Sequence, residues 1–319
     1  MKITAGLGCI DHYERLVKAG VDEVFCGFVP YEWNKTYGTL FPLNRREVLY
    51  YNVQIGSYED MKILKKMVDK YKVPVTITFN YLYYLVEQYE VIEDIMKKLM
   101  DIGFKEFIIA DLALLVYLKE RGIRCSIHLS GECAEINSLS MKFLSQFNIS
   151  RYIFHRKNTI EDMKSCIEKN SSLEYEAFIL NERCHYTGAF CSSLHCDELM
   201  HLCKVPYEVG KLNKDCDNFK EVDERLSKEK MESIEINEDG LYKFGSTGCG
   251  ICALKKLKEA GITHLKVVGR GNYIDVIEKD IINLKKIIKN MEVIQNEKEF
   301  KEKIKGEIFK EECSHECYY

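Results

Sequence analysis

The sequence predicts a (β/α)8 barrel, the TIM-barrel-like class of α/β fold, and three observations support this prediction. A unit of amphipathic helix, glycine and short apolar run recurs along the chain, with its glycine at Gly20, Gly103, Gly122 and Gly261. Glycine suits the left-handed residue that closes a helix, and a continuous apolar run suits a strand covered on both faces. The strand candidates number eight. They alternate with helices, which is the order of elements in a (β/α)8 barrel.

The eight predicted strands are short and rich in branched and aromatic side chains. In chain order they are Ile3–Leu7, Val21–Phe25, Val75–Phe79, Glu106–Ala110, Arg124–Leu129, Arg151–Phe154, Glu174–Leu180 and His264–Val268. Helices are predicted between them from the spacing of apolar residues, for example Tyr58–Tyr71 with Ser57 as its cap, Gln88–Met100 and Tyr273–Asn290.

Two segments depart from this alternation. Residues Pro30–Gly56 are aromatic and irregular, which predicts a long loop over the barrel mouth. The segment after the seventh strand is too long for a simple crossover, and we interpret it as a cysteine-rich insertion with a β-hairpin at Asp239-Gly240. The predicted organisation is therefore a barrel domain, the insertion inside it and a charged C-terminal tail, at 1–290, 181–261 and 291–319.

Composition excludes several classes of function. The chain has 46 Lys and Arg against 50 Asp and Glu, so its net charge does not favour a nucleic-acid binder, although a local basic groove for RNA is not excluded. No apolar run approaches the ~20 residues needed to span a bilayer. No N-terminal stretch has the long apolar core of a secretory signal, so we expect a cytoplasmic protein with reduced thiols.

The insertion concentrates the cysteines. Cys184, Cys191, Cys196 and Cys203 lie within twenty residues of one another, and Cys249 and Cys252 follow in the run GCGIC. Crowded thiolates in a reducing compartment usually share a metal. Burial as small apolar side chains is the alternative, and it fits Cys26, Cys125 and Cys166, which lie inside apolar runs.

Functional groups of a (β/α)8 barrel collect where strands end and βα loops begin. The predicted strand ends carry the candidate ligand-binding residues His128, His155, Arg156 and Arg270. The cysteine cluster begins at the end of the seventh strand, so it is expected to face the same cavity as the two arginines. A guanidinium offers paired donors that match a carboxylate, which predicts an anionic small molecule in the barrel mouth.

Common catalytic signatures are missing. The sequence contains no HExxH, GxSxG or GxxxxGK[ST] motif, and the run VVGRGN lacks the GxGxxG pattern. A nucleophile pair of Cys184 and His185 is conceivable, although adjacent loop residues seldom form one. No catalytic residue is therefore assigned.

Three runs resemble the peptidase U32 family, also called the collagenase-like protease family: ADLALLVYLKERGIRCSIHLSGECAEINSLSMKFLSQFNISRYIFHRK, ERCHYTGAFC and CALKKLKEAGITHLKVVGR. The resemblance covers nearly the full length. It implies a barrel-like domain and similarity to proteins of oxygen-independent hydroxylation of ubiquinone, 23S rRNA and tRNA. In those relatives four cysteines hold a [4Fe-4S] cluster, and prephenate can supply the oxygen.

Carried over to this chain, the resemblance implies a cluster held by Cys184, Cys191, Cys203 and Cys252. The stretch between Cys191 and Cys203 is shorter than in the family, which leaves Cys196 as an alternate for Cys203. Cys249 is an alternate for Cys252. The family run KIEGR appears here as KVVGR, without its glutamate. The resemblance also allows a partner subunit of the same family.

Three functions are open from the sequence. The leading one is an iron–sulfur enzyme of hydroxylation or related redox modification that uses prephenate or a similar carboxylate, and the alternatives are a hydrolase and a non-catalytic, metal-stabilised binding protein. Four thiolates suit iron–sulfur or zinc equally, so iron rests on the resemblance. Cys313 and Cys317 are predicted not to be essential ligands of the main cluster, because a tail of this kind usually frays, although His315 between them leaves room for a second metal site.

Overall fold

The computed structural model describes residues 1–38, 41–45, 53–133, 136–184, 243–294, 296–309, 313 and 315–319. Their sheet is parallel and closed. Its strands are β1 Lys2–Leu7, β2 Glu23–Phe28, β3 Gln54–Ile55, β4 Val75–Phe79, β5 Glu106–Ile109, β6 Ser126–Leu129, β7 Ile149–Ile153, β8 Glu174–Leu180 and β9 His264–Val267. Strand β1 pairs with both β2 and β9, which closes a ring of eight strands. The two residues of β3 add to β2 outside this ring. The predicted (β/α)8 barrel is confirmed.

Helices surround the barrel. They are α1 Tyr13–Ala19, α2 Tyr31–Tyr37, α3 Tyr58–Tyr71, α4 Gln88–Ile102, α5 Leu112–Glu120, α6 Ser138–Leu144, α7 Ile160–Lys169, α8 Leu254–Glu259, α9 Ile274–Val293 and α10 Glu297–Glu307. Short 3-10 turns precede α1 and α8, at Ile10–His12 and Ile251–Ala253. Among the described residues, no helix is both long enough and apolar enough to cross a bilayer.

Local sequence explains these elements. All six residues of β2 and all five of β4 are buried, as expected for strands covered by side chains on both faces. The Ser57 hydroxyl accepts a hydrogen bond from the Asp60 N–H and caps α3. Gly20 and Gly103 close α1 and α4 at φ of 99° and 117°, where a residue with a Cβ would be strained.

Several predicted boundaries were wrong. The second strand begins at Glu23 and continues to Phe28, so Gly27 lies within it. Strand β6 begins at Ser126, two residues after the predicted start, and ends at Leu129 as predicted. The predicted loop Pro30–Gly56 contains helix α2, whose Trp33 is fully buried and donates its indole N–H to the carbonyl of Phe41. The predicted insertion hairpin lies outside the described residues.

A buried ion network crosses the barrel interior. Arg151 on β7 contacts Glu23 on β2, with an Nη1–Oε1 distance of 2.7 Å. Strands β2 and β7 are not neighbours in the sheet, so this pair spans the lumen. Glu176 on β8 accepts from Arg151 at 3.0 Å and from Lys266 on β9 at 2.5 Å. Such contacts satisfy groups that would be costly to bury alone.

The C-terminal segment returns to the barrel, although the sequence predicted a fraying end. The N–H of Cys249 donates to the carbonyl of Glu316 at 2.8 Å, and the N–H of Tyr318 donates to the carbonyl of Cys249 at 2.9 Å. The Tyr319 hydroxyl donates to the Phe178 carbonyl, also at 2.9 Å. These bonds tie the last residues of the chain to the carboxyl end of β8.

Candidate functional site

A cavity of about 500 Å³ opens at the carboxyl end of the barrel strands. Its wall combines two phenylalanines, Phe25 and Phe178, with seven charged side chains. The charged residues are Arg45, Arg156, Arg183, Lys266 and Arg270, together with Glu132 and Glu182. Among the described residues, five basic groups against two carboxylates give the cavity wall an excess of positive charge. Apolar walls strengthen that field because they lower the local dielectric.

Arg156, in the loop after β7, forms one side of the cavity. Its guanidinium lies 4.0 Å from the centre of the Phe178 ring, and its Nη1 donates to Glu132 at 3.2 Å. Burial is the largest single influence and disfavours the charged form, but Glu132, Tyr318 and the other acidic neighbours together outweigh it and raise the pKa of Arg156. Its Nε is buried without a hydrogen-bond partner among the described residues. A ligand anion could accept from that donor.

Arg270, after β9, lies across the barrel mouth. Its side chain is only 8% exposed, and Nη1 donates to the Thr78 hydroxyl at 3.3 Å. Two glycines make room for it. A Cβ on Gly6 would lie 2.8 Å from the Arg270 Cγ, and one on Gly27 would overlap the guanidinium itself. The glycines on β1 and β2 therefore allow the arginine to reach the cavity.

Glu132 connects two of the arginines. Its Oε2 lies 3.4 Å from Arg45 Nε, and its Oε1 accepts from Arg156. Lys266 forms part of the cavity wall while its Nζ contacts Glu176 in the buried ion network, and it lies 4.0 Å from the centre of the Phe25 ring. Burial lowers the pKa of Lys266, and the Glu176 carboxylate opposes that shift. The cavity is thus connected to the ion network through Lys266.

Cys184 lies half-buried in the cavity wall and is in no disulfide. The chain reaches it through Asn181 and Glu182, which have φ of 68° and 50° in the left-handed region. Several hydrogen bonds hold this unusual backbone. The Asn181 side chain donates to Asp280 Oδ2 at 2.8 Å, and the Arg183 N–H donates to the Thr247 carbonyl at 2.6 Å. Strained backbone kept in place by such bonds is typical of functional segments.

Only some of the predicted site residues lie together in the described part of the chain. Arg156, Arg270 and Cys184 line one cavity, as the strand-end argument predicted. Cys191, Cys196 and Cys203 lie outside the described residues. Cys249 forms a backbone bridge with Cys317 of the C-terminal segment, and Cys252 follows three residues later in the sequence.

The two predicted histidines are not in the cavity wall. His128 is buried on β6, where burial and the nearby Arg151 hold its pKa well below the usual value. His155 accepts the Lys157 N–H at Nδ1, and burial lowers its pKa to about 4. Both imidazoles are therefore neutral at pH 7. Their role in ligand binding stays a prediction.

Sequence reasoning missed Arg45, Glu132 and Lys266. The first two come from irregular segments where no periodic pattern marks a residue as inward-facing. Lys266 stands inside a strand, and a lysine in an apolar run is a usable signal, because a buried ammonium needs a partner. Glu23, Glu106 and His128 also bring ligand-type atoms within 4.8 Å of one another, but both Glu23 oxygens already pair with Arg151.

Solved structures of similar fold share little sequence with this chain. A search of curated proteins found no match. Among solved structures, the U32 peptidase Mk0906 is 12% identical with a TM-score of 0.42, over 56% of this chain and 69% of that chain. A 2,3-dimethylmalate lyase of the PEP mutase/isocitrate lyase superfamily is 10% identical with a TM-score of 0.41, over 96% and 83% of the two chains. These similarities are too low to carry a functional argument.

A protein-family profile matches nearly the whole chain. The profile described as peptidase family U32 matches residues 8–318, which includes every strand of the described barrel except β1. The match also includes Cys184, the arginines of the cavity and the C-terminal segment as far as Tyr318. The chain therefore belongs to peptidase family U32.

Proposed function

We propose that this chain is an iron–sulfur enzyme for oxygen-independent hydroxylation, or a related redox modification, of a small molecule or RNA. One observation carries the proposal: Cys184, a candidate cluster ligand, and the two arginines Arg156 and Arg270 share one cavity wall. A redox centre and an oxygen-donating anion would need such an arrangement, in which both face the same enclosed volume.

The proposed cluster is a [4Fe-4S] centre held by Cys184, Cys191 and Cys203, with Cys252 as the fourth ligand and Cys196 and Cys249 as alternates. Cysteine thiolates are the usual ligands of such clusters. The Cys184 thiol fits this role because it is in no disulfide and lies half-buried in the cavity wall. When bound, the cluster would supply one-electron transfer at the mouth of the barrel.

The proposed co-substrate is prephenate or a similar carboxylate. Arg156 presents a buried Nε without a partner in the described part of the chain, and Arg270 presents a nearly buried guanidinium. Charge-assisted hydrogen bonds from such groups are each worth about 1.5–3 kcal/mol. Phe25 and Phe178 would contact the apolar part of the anion and exclude water from its carboxylates.

Anaerobic purification tests the cluster. We expect brown protein with broad visible absorption and roughly four irons per chain. The Cys184→Ser variant should lose both the colour and the iron. Colourless wild-type protein with stoichiometric zinc, after attempted cluster reconstitution, would refute this part of the proposal.

Calorimetry with prephenate tests the anion site. Arg156→Lys and Arg270→Lys keep the charge but lose the planar pair of donors, so we expect each to weaken binding about tenfold or more, with cluster content unchanged. Arg124→Lys is the matched control, since Arg124 is exposed at the opposite end of the barrel, before β6.

Two results would contradict the proposal. If wild-type protein with an intact cluster binds no prephenate or similar carboxylate, the hydroxylation function loses its support. If Arg156→Lys and Arg270→Lys bind as well as wild type, the anion site has been misplaced. Peptide cleavage at equal rates by the cluster-free and cluster-loaded proteins would instead favour the hydrolase that the family is named for.

A further inference from the structure

Glu132 lies in the cavity wall between two arginines, with one arginine on each of its carboxylate oxygens. Its Oε2 is 3.4 Å from Arg45 Nε, and its Oε1 accepts a hydrogen bond from Arg156 Nη1 at 3.2 Å. Arg45 and most of the Arg156 side chain are buried. A single carboxylate of the protein therefore bridges two guanidinium groups inside the cavity that we assign to an anionic ligand.

The backbone of the turn after β6 holds Glu132 in this place. The Glu132 N–H donates to the Ser130 hydroxyl at 3.2 Å. Gly131, between them, packs against the end of β7, since a Cβ on this glycine would lie 2.8 Å from the carbonyl oxygen of Ile153. Only a residue without a side chain fits so close to another backbone. The turn therefore brings Glu132 next to the loop that carries Arg156.

Hydrogen bonds to β4 and the loop after it hold the backbone that carries Arg45. The Arg45 N–H donates to the side-chain oxygen of Asn80 at 3.1 Å. The side-chain oxygen of the preceding residue, Asn44, lies 2.7 Å from the Thr78 hydroxyl, which also accepts from Arg270. Arg45 is thus fixed beside the groups that hold Arg270, and both arginines line the same cavity.

Glu132 satisfies Arg45 and Arg156 in the way that a ligand carboxylate would. Charge-assisted bonds from two guanidinium groups to the two oxygens of one planar group match a carboxylate in geometry and charge. The Glu132 side chain is 18% exposed, so water reaches this ion pair from the cavity. An ion pair that water reaches is weaker than a fully buried one, and an incoming carboxylate can compete for it.

We propose that Arg45 and Arg156 form a carboxylate subsite of the cavity, and that Glu132 occupies this subsite until the carboxylate of the ligand takes its place. The inference rests on the proposed function for the identity of the ligand. It adds Arg45 as a ligand-binding residue and Glu132 as the residue that sets the affinity of the subsite. A ligand that cannot present two oxygens to the arginines, such as chloride, leaves Glu132 in place.

Calorimetry with prephenate, on the full-length protein with its cluster, compares wild type with Glu132→Gln. Glutamine keeps the shape of the side chain but loses its charge, so we expect this variant to bind prephenate about tenfold more tightly, or better. Glu182→Gln is the matched control, because it removes the other carboxylate of the cavity wall. It reports the general gain in positive charge, which we expect to be about threefold or less.

The double variant Arg45→Lys/Glu132→Gln tests the role of Arg45. Lysine lacks the planar pair of donors, so the gain in affinity should be lost. Three results would overturn the proposal. Glu132→Gln might bind no better than wild type, which would mean that Glu132 positions Arg156 rather than competes for it. Glu182→Gln might gain as much as Glu132→Gln, or the double variant might keep the full gain.

Arginine labelling with phenylglyoxal, mapped by mass spectrometry, needs no carboxylate ligand. Arg45 and Arg156 should be labelled about threefold faster, or more, in Glu132→Gln than in wild type and Glu182→Gln, because Glu132 no longer holds them. The exposed Arg124 should be labelled at one rate in every correctly folded variant. If its rate changes in Glu132→Gln, Glu132→Ala takes the place of that variant. Unchanged labelling of Arg45 and Arg156 would overturn the proposal.

These two measurements separate the subsite from the proposed function. If no variant binds prephenate but Glu132→Gln speeds the labelling of Arg45 and Arg156, the co-substrate is wrong and the subsite stands. If wild type binds prephenate while Glu132→Gln changes neither affinity nor labelling, the proposed function stands and the subsite is refuted.

Discussion

Replacing Glu176 with glutamine tests the buried ion network of the barrel interior, which is connected to the cavity through Lys266. The Glu176 side chain is completely buried, 2.5 Å from the Lys266 ammonium and 3.0 Å from the Arg151 guanidinium. Burial would raise the pKa of this carboxyl, but the two cations outweigh burial and hold the pKa at about 2, against an ordinary value of 4.5. The folded state therefore stabilises the ionised carboxylate of Glu176.

The size of the effect follows from the difference between these two pKa values. Because one pKa unit corresponds to about 1.4 kcal/mol, the ionised carboxylate contributes about 3 kcal/mol to the free energy of unfolding. The folded pKa is lowered, so this contribution is complete above pH 4.5 and is lost as the pH falls from about 4.5 towards 2. Glu176→Gln should cost a similar amount at pH 7, since glutamine leaves two buried cations without their counter-charge.

Urea unfolding, followed by circular dichroism at pH 7, 5 and 3, measures both effects. The difference in unfolding free energy between wild type and Glu176→Gln should be about 3 kcal/mol at pH 7 and should shrink as the pH falls below 4.5. Glu174→Gln is the matched control. It also contacts Arg151 but is 41% exposed, so its cost should be about 1 kcal/mol or less. Equal costs for the two variants, or a pH-independent cost for Glu176→Gln, would refute the reasoning.

Three further substitutions have definite expected outcomes. Gly27→Ala should displace the Arg270 guanidinium and weaken carboxylate binding about tenfold in calorimetry, with little change in cluster content. Trp33→Ala should lower the unfolding free energy by about 3–5 kcal/mol, measured by circular dichroism because Trp33 is the one tryptophan of the chain. Tyr319→Phe removes a hydrogen bond to Phe178, so it should cost about 1 kcal/mol and increase proteolysis of the C-terminal segment.

The barrel could be predicted because its determinants are local. Continuous apolar runs and helix-closing glycines such as Gly20 and Gly103 can be read in windows of a few residues. The boundaries were less accurate where a strand carries a buried charge. Glu23 begins β2 and pairs with Arg151 across the lumen, and a partner 128 residues away leaves no trace in a local window.

The site could be predicted only in part, for a related reason. Arg156 and Arg270 follow strands, so the rule that barrel ligands bind at the carboxyl ends of strands found them. Arg45 and Glu132 come from irregular segments, and they meet in the cavity only because the closed barrel brings their loops together. The return of the C-terminal segment to Cys249 depends on tertiary hydrogen bonds that no sequence pattern encodes.

The end of β8 links the cavity to the C-terminal segment. The Phe178 ring packs against Arg156 in the cavity, while the Phe178 carbonyl accepts from Tyr319 of the C-terminal segment. Asn181 begins the turn that leads to Cys184, and its carbonyl accepts from Tyr318. One strand end therefore positions both an anion-binding arginine and the backbone against which the C-terminal segment folds.

The same geometry bears on which thiol supplies the fourth ligand of the proposed cluster. Cys184 lines the cavity, and Cys252 and Cys249 are the candidates for the fourth position. Cys249 is buried, and its backbone N–H and carbonyl are bonded to Glu316 and Tyr318, whereas Cys252 is half-buried. Cys252→Ser should therefore abolish the cluster, and Cys249→Ser should leave its iron content unchanged. Loss of the cluster in Cys249→Ser but not in Cys252→Ser would assign the fourth ligand to Cys249.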